Sequence, residues 1–278
     1  MQLRFTKMHG LGNDFVVVDS LSQDINLSSE LVSFLADRHR GVGCDQVLLI
    51  EPPTQPDIDF NYRIFNADGS EVEQCGNGAR CLGKYVADKR LTGKRNIRVA
   101  TMNSCMHVEI LNGNLVRVDM GLPTFDPLNI PFKAERQSDR YTIEHALGTN
   151  EFGVVSMGNP HVVLVVDDCR GAPVSTLGPL LESHADFPDK ANVGFMQIVS
   201  REEIQLRVFE RGVGETQACG SGACAAVAHG VQLDLLDADV AVHLPGGKLN
   251  VSWQGAQERV WLGGPATTVF NGTISLRN

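Results

Sequence analysis

The chain has 278 residues, 42% hydrophobic and 21% charged, and its 24 basic against 33 acidic side chains leave a net charge of −9. That balance excludes a nucleic-acid binder working through a broadly basic surface. No apolar run approaches the roughly 18 residues of a membrane span, so a membrane is not expected as a partner either. The length exceeds what a single hydrophobic core usually fills, about 250 residues, and two domains are expected.

The opening segment Met1-Gln2-Leu3-Arg4-Phe5 has neither the apolar core nor the small-residue cleavage site of a secretory signal, which predicts a cytoplasmic protein. Apolar runs predict a strand at residues 15–18 and helical periodicity predicts a helix at 29–38; strands follow at 47–50 and 58–65, a helix at 78–89 and a strand at 116–120. Gly121-Leu122-Pro123-Thr124-Phe125-Asp126-Pro127 then breaks the pattern as a linker. Beyond it come a strand at 162–166, a helix at 175–183, strands at 193–199 and 204–209, and a helix at 222–233. Residues 265–276 alternate as a final strand that the pattern alone assigns to neither half. Gly12-Asn13 precedes the first strand as Gly158-Asn159 precedes the strand at 162–166, and each half then runs helix, strands, helix. The order predicts an internal duplication, with domains at 1–120 and 121–264.

A second repetition carries the chemistry. Arg63-Ile64-Phe65, Glu71 and Cys75-Gly76-Asn77-Gly78-Ala79 recur 144 residues later as Arg207-Val208-Phe209, Glu215 and Cys219-Gly220-Ser221-Gly222-Ala223. Each cysteine is expected at a helix start, where the positive dipole end favours the thiolate, and the glycines let first-turn N–H groups approach an anion. Glu71 and Glu215, four residues before their cysteines, either face the sulfur or, on the preferred reading, cap the helices. As metal ligands, Cys75 with Cys81 and Cys219 with Cys224 are spaced by six and five positions, which fits the usual zinc knuckle poorly, and no metal is assigned. Two thiols flanking one carbon are able to take a proton from one face and return one to the other, inverting a stereocentre. The remaining cysteines Cys44, Cys105 and Cys169 lie in apolar surroundings and read as small buried hydrophobes, and an odd total of seven in a chain of this size predicts no structural disulfide.

With Phe65-Asn66-Ala67-Asp68-Gly69-Ser70, Cys75 through Cys81, Met157-Gly158-Asn159-Pro160-His161, Phe209 through Thr216, His9 through Phe15 and Gly41 through Gln46, the chain resembles the diaminopimelate epimerase family over essentially its whole length. The resemblance implies an α+β fold of two pseudo-symmetric domains, each a mixed β-sheet curled around a central α-helix. It also implies an active site in the interdomain cleft and a last strand, about 265–278, returning to the first domain. It implies a homodimer, no cofactor, and as substrate a small amino acid, diaminopimelate, epimerised between its LL and meso forms on the route to lysine and peptidoglycan. Carried over residue by residue, Cys75 and Cys219 are the acid/base pair, one a thiolate and one a thiol when substrate arrives, and His161 and Glu210 tune them. The reacting carboxylate rests on Gly76-Asn77 and Gly220-Ser221. Asn13, Gln46, Asn66, Asn159, Asn192 and Arg211 hold the rest of the substrate, with Asn159, Asn192 and Arg211 near a distal carboxylate and Glu210 near an ammonium group. Phe270 departs from the family, which has a tyrosine at that point of the dimer interface.

From the residues alone, Gly12-Asn13, Gly158-Asn159-Pro160 and Ala191-Asn192 also read as ordinary turns or strand entries, Arg211 as a solvated loop arginine and His161 as a satisfied strand histidine. Nothing in the sequence resembles a pyridoxal phosphate site; Lys84 and Lys89, the lysines of the predicted first cysteine helix, read as exposed helical residues. Competing functions are a proline or hydroxyproline racemase, against which the distal-carboxylate set argues, and a thiol redox sensor or metal-binding module.

Overall fold

A computed structural model describes residues 2–73 and 75–276; Met1 of the opening segment and residues 277–278 of the expected final strand lie outside the described residues. In chain order the elements are β1 (Gln2–Gly10), β2 (Asn13–Asp19), α1 (Ser29–Ala36), β3 (Gln46–Glu51), β4 (Phe60–Asn66), β5 (Glu71–Val72), α2 (Gly76–Asp88), β6 (Asn96–Ala100), β7 (Cys105–Ile110) and β8 (Leu115–Asp119). They continue as β9 (Tyr141–His145), β10 (Gly148–Ser156), β11 (Pro160–Val165), α3 (Val174–Glu182), β12 (Asn192–Ser200), β13 (Glu203–Glu210), β14 (Gly214–Thr216), α4 (Gly220–Gln232), β15 (Asp239–Leu244), β16 (Gly247–Ser252), β17 (Trp261–Pro265) and β18 (Thr267–Ser275). Contacts divide the chain into two units: residues up to Asp119 together with those from Gly263 on, and Met120–Leu262.

Within each unit the strands pair in the same sequence. In the first, β1–β2 is antiparallel, β2–β3 parallel, β3–β4 antiparallel, β4–β6 parallel and β6–β7 antiparallel. In the second, β10–β11, β11–β12, β12–β13, β13–β15 and β15–β16 repeat that alternation. β18 lies antiparallel on β1 as β9 lies on β10. The duplication is therefore a repeat of pairing pattern as well as of motif, in a mixed-sheet α+β fold.

Burial on both faces explains why the inner strands read as unbroken apolar runs. Phe15, Val16, Val17 and Val18 are all fully buried. Val16 and Val18 join Val32 and Leu35 of α1 in one core cluster, while α2 packs against β1, β2, β3, β7 and β8. One helix thus packs on the strands from each side, α2 being the one the sheet wraps. The second unit repeats this: α3 packs Val174, Leu177 and Leu181 onto Val162, Leu164, Val193 and Phe195, and α4 contacts β10 to β13 and β16. A helix enclosed this way must be apolar all round; Ala223 through Gly230 are buried without a break.

Three expectations need correction. The first helix stops at Ala36, not Arg38: Asp37 leaves the helical region at ψ 118° and its carboxylate accepts the amides of His39 and Arg40, which frees Arg38 for the interactions described below. Cys105 is half-buried, whereas Cys44 and Cys169 are buried. Strands β6, β7, β9, β15 and β16 were not expected: each alternates a buried with a more exposed face over only five or six residues.

Gly153 of β10 owes its identity to the wrapped helix. A Cβ there would fall 2.1–2.4 Å from the imidazole of buried His229 in α4. Gly153→Ala is expected to cost about 1–3 kcal/mol in urea unfolding through overpacking. Combined with His229→Ser it is expected to cost less than the sum of the two single changes; strictly additive costs would show that the ring is not what excludes the methyl.

Candidate active site

Each cysteine occupies the residue immediately before its central helix, in extended conformation: φ −146°, ψ 115° at Cys75 before α2, and φ −106°, ψ 110° at Cys219 before α4. The expected capping carboxylates do something else. Glu71 accepts Nε and Nη2 of Arg63, both at 2.8 Å, and Glu215 accepts the same two atoms of Arg207 at 2.6 and 2.9 Å. The repeated Arg and Glu are thus a clamp across the hairpins β4–β5 and β13–β14, and bidentate guanidinium–carboxylate geometry outcompetes a cap.

In the first unit the predicted residues gather around Cys75. Asn13 opens β2 and its Oδ1 accepts from Cys75 Sγ at 3.8 Å and from Asn77 Nδ2 at 3.2 Å. Gln46 opens β3 and stands opposite Asn66 at the end of β4, donating Nε2 to Asn66 Oδ1 at 3.0 Å; Asn66 in turn donates to Ser70 Oγ. Gly76 and Asn77 form the buried first turn of α2. Cys75 is half-buried.

In the second unit the equivalent positions hold different side chains. His161, where the first unit has Phe15, pairs with Asn192 across β11–β12 as Phe15 pairs with Gln46. Its Nε2 contacts Asn159 Oδ1 at 3.0 Å. Burial, with Arg211 adding to it, lowers the His161 pKa to about 3, so the imidazole is neutral at ordinary pH. Asn192 is buried; it donates to Pro160 O at 3.2 Å and accepts the Arg211 amide at 3.0 Å, bracing the turn from which the Arg211 guanidinium reaches Asp189 O. Glu210 ends β13 and accepts the Thr216 hydroxyl. Burial raises its pKa, against the opposing pull of Thr216 and Cys219.

Cys219 is 3% exposed, with Ser221 Oγ 3.7 Å from its sulfur. The expectation of a thiol acidified by the helix start fails here. Burial and the neighbouring Glu210 carboxylate drive its pKa well up, and Ser221 and the Gly222 amide offset only part of that. Gly220 and Ser221 form the first turn of α4. Sequence reasoning missed Thr216, Asp45, Arg80 and Tyr62. Asp45 and Arg80 lie inside quoted motifs, and the signal for Arg80 was a charge in the middle of an enclosed helix, where it is fully buried. Among the described residues the cysteines form no disulfide, no cluster of three or more His, Cys, Asp or Glu is arranged for a metal, and no helix is long and apolar enough to cross a membrane.

The fold is shared with solved proteins of low sequence identity. A hydroxyproline epimerase from Agrobacterium vitis, solved with trans-4-hydroxy-L-proline, has 15% identity and a TM-score of 0.70, over 100% of this chain and 93% of that one. A probable proline racemase from Agrobacterium radiobacter has 14% identity and a TM-score of 0.71, over 99% and 93%. A phenazine biosynthesis protein of the PhzF family from Bacillus anthracis has 14% identity and a TM-score of 0.70, over 99% and 100%. With this fold and the family match below, the chain is an enzyme of the epimerase or isomerase type. Residues 5–125 and 153–269 match the family described as diaminopimelate epimerase, and the chain belongs to that family.

The neutral buried histidines have a consequence for stability. His161 at about 3 and His229, lowered to about 4 by burial first and then Arg140, titrate in the unfolded chain near 6.5. Above that pH neither state binds the proton and the histidines contribute no pH dependence. Below it the unfolded chain gains protons that the folded one refuses, so stability falls as pH drops from 6.5 towards 4, by up to about 1.4 kcal/mol per pH unit for each histidine. Urea unfolding of His161→Asn between pH 7 and 4.5 is expected to show a shallower slope than the parent; an unchanged slope would place the His161 pKa near its ordinary value.

Proposed function

We propose that this enzyme interconverts LL- and meso-diaminopimelate without a cofactor, Cys75 and Cys219 acting on opposite faces of one α-carbon. The observation that carries the reading is the pair of sulfurs, each at the start of an equivalent enclosed helix, within equivalent strand frameworks that carry different polar residues. Cys219, with its raised pKa beside Glu210, is the thiol that donates; Cys75 abstracts. Their states exchange after each turnover. The reacting carboxylate sits on the first turns Gly76-Asn77 and Gly220-Ser221, whose N–H groups and dipoles stabilise charge developing at the carbon.

Arg211, braced by Asn192, recognises the distal carboxylate with Asn159, and Glu210 lies near an ammonium group of the substrate. Asn13, Gln46 and Asn66 line the other side, and His161, being neutral, adjusts the second half-site through hydrogen bonding. A distal carboxylate distinguishes diaminopimelate from the single-headed proline of the racemases that share the fold. The reading includes a cytoplasmic homodimer. Val269 and Phe270 of β18 stand 54% and 46% exposed, with Phe270 edge-on to Phe5. Sedimentation of the parent is expected to give a dimer, and a monomer at micromolar concentration would remove that part.

The decisive measurement is α-proton exchange in deuterated water, with LL-diaminopimelate beside L-proline and trans-4-hydroxy-L-proline. Exchange and inversion are expected with diaminopimelate alone. Cys75→Ala and Cys219→Ala are each expected to lose inversion by at least about 10²–10⁴-fold, the usual weight of an acid or base group. A single variant that still inverts would refute the two-thiol mechanism, and exchange with hydroxyproline in place of diaminopimelate would refute the substrate.

A further inference from the structure

A chain of polar side chains in the first unit runs from one charged group to another and passes the Cys75 sulfur. At one end Arg80, fully buried in α2, donates Nη2 to Asn77 Oδ1 at 2.9 Å. Asn77 then donates Nδ2 to Asn13 Oδ1 at 3.2 Å, and Asn13 donates Nδ2 to Asp45 Oδ2 at 3.0 Å. A guanidinium only donates and a carboxylate only accepts, so the two ends dictate the orientation of both amides between them. Space for the arginine end is left by Gly10, where a Cβ would stand 3.1 Å from Arg80 Nη2.

Asp45 is itself held. Its Oδ2 accepts the Asp14 amide, its Oδ1 accepts Arg38 Nη2 at 2.8 Å, and its own amide donates to Asp14 Oδ1. Arg38 also binds both oxygens of Asp14, and Lys7 pairs with the same carboxylate. Burial raises the Asp14 pKa, but Arg38 and Lys7 outweigh it and hold the group well below the usual carboxylate range. This is the use to which the chain puts Arg38 by ending α1 two residues before it.

We propose that Asp45 is a positioning residue: it locks the Asn13 amide so that the carbonyl, never the NH2 group, faces Cys75, and thereby strengthens the hold of that sulfur on its proton. An acceptor beside sulfur favours S–H over S⁻. In the proposed reaction, on which this inference rests, the lock stabilises the thiol formed when Cys75 takes the substrate proton. Tyr62 of β4 and Cys81 of α2 also interact electrostatically with Cys75, and both are fully buried and kept neutral by that burial. Neither supplies the lock.

The test is the pH profile of Cys75 alkylation by iodoacetamide, followed by peptide mass spectrometry. In an Asn77→Ala chain, where the donor that Arg80 orients is gone, Asp45→Asn frees Asn13 to turn its NH2 towards the thiolate, and the Cys75 midpoint is expected to fall by about one pH unit. Losing a nearby negative charge would shift it in the same direction, so the change is repeated in an Asn13→Ala chain. There the effect of Asp45→Asn is expected to vanish. An unchanged midpoint when Asp45→Asn is added to Asn77→Ala, or an equal shift with and without Asn13, would overturn the proposal. Asp45→Ser also removes the obligate acceptor and serves if Asp45→Asn does not fold. Alkylation reports the amide orientation without turnover, so an inverting Cys75→Ala variant would sink the two-thiol reaction and leave this result standing on its own.

Discussion

Both sulfurs depend on a hairpin clamp. Arg63 with Glu71, and Arg207 with Glu215, close β4 on β5 and β13 on β14 through two parallel hydrogen bonds each. The side chains are only partly buried, between 23% and 34% exposed. Pairs of that kind contribute about 0–1 kcal/mol, too little to matter for the stability of a whole domain. Their weight lies in direction. A bidentate pair fixes the hairpin in one register, and a few residues on the chain enters α2 or α4 with its cysteine as the residue before the first turn. Arg207 extends the same job by donating to the carbonyls of Cys169, Arg170 and Ala172, which ties the second hairpin to the segment before α3.

On this common frame the copies have diverged where the chemistry lies. Phe15 corresponds to His161, Gln46 to Asn192, Asn66 to Glu210 and Asn77 to Ser221. The first unit faces its sulfur with amides whose orientation is imposed from Asp45 and Arg80. The second faces it with a half-buried carboxylate. A duplicated domain starts with two equal thiols; these substitutions make them unequal. Inequality would serve the proposed reaction, in which one group abstracts while the other donates.

The repeated cysteine motif, the four helices and the inner strands were readable because enclosure imposes a pattern: apolar on both faces for β2, β3, β11 and β12, apolar all round for α4. Edge and outer strands such as β6 and β9 have one wet face and short alternation, so their signal sank below that of the loops. Types and spacing placed Cys75 and Cys219 at helix starts, but did not give the partners of Glu71 and Glu215. A glutamate four residues before a helix start is compatible with a cap or with a cross-strand arginine, and only the hairpin register decides. Asp45 and Arg80 act through two amides at a distance, a relation that no local spacing encodes.

The same limit explains the one reversal in the chemistry. A helix N-terminus is worth about 0.3–1 kcal/mol to a nearby anion, and up to about 2 in favourable buried geometry. Full burial of a thiol costs its thiolate more than that, and at Cys219 the Glu210 carboxylate adds to the cost. The dipole of α4 therefore does not make Cys219 acidic in the protein alone. In the proposed reaction that dipole is available to a charge that arrives already formed, a substrate carboxylate on the first-turn amides. In the protein alone, burial and Glu210 keep the proton on Cys219 against the pull of the helix start.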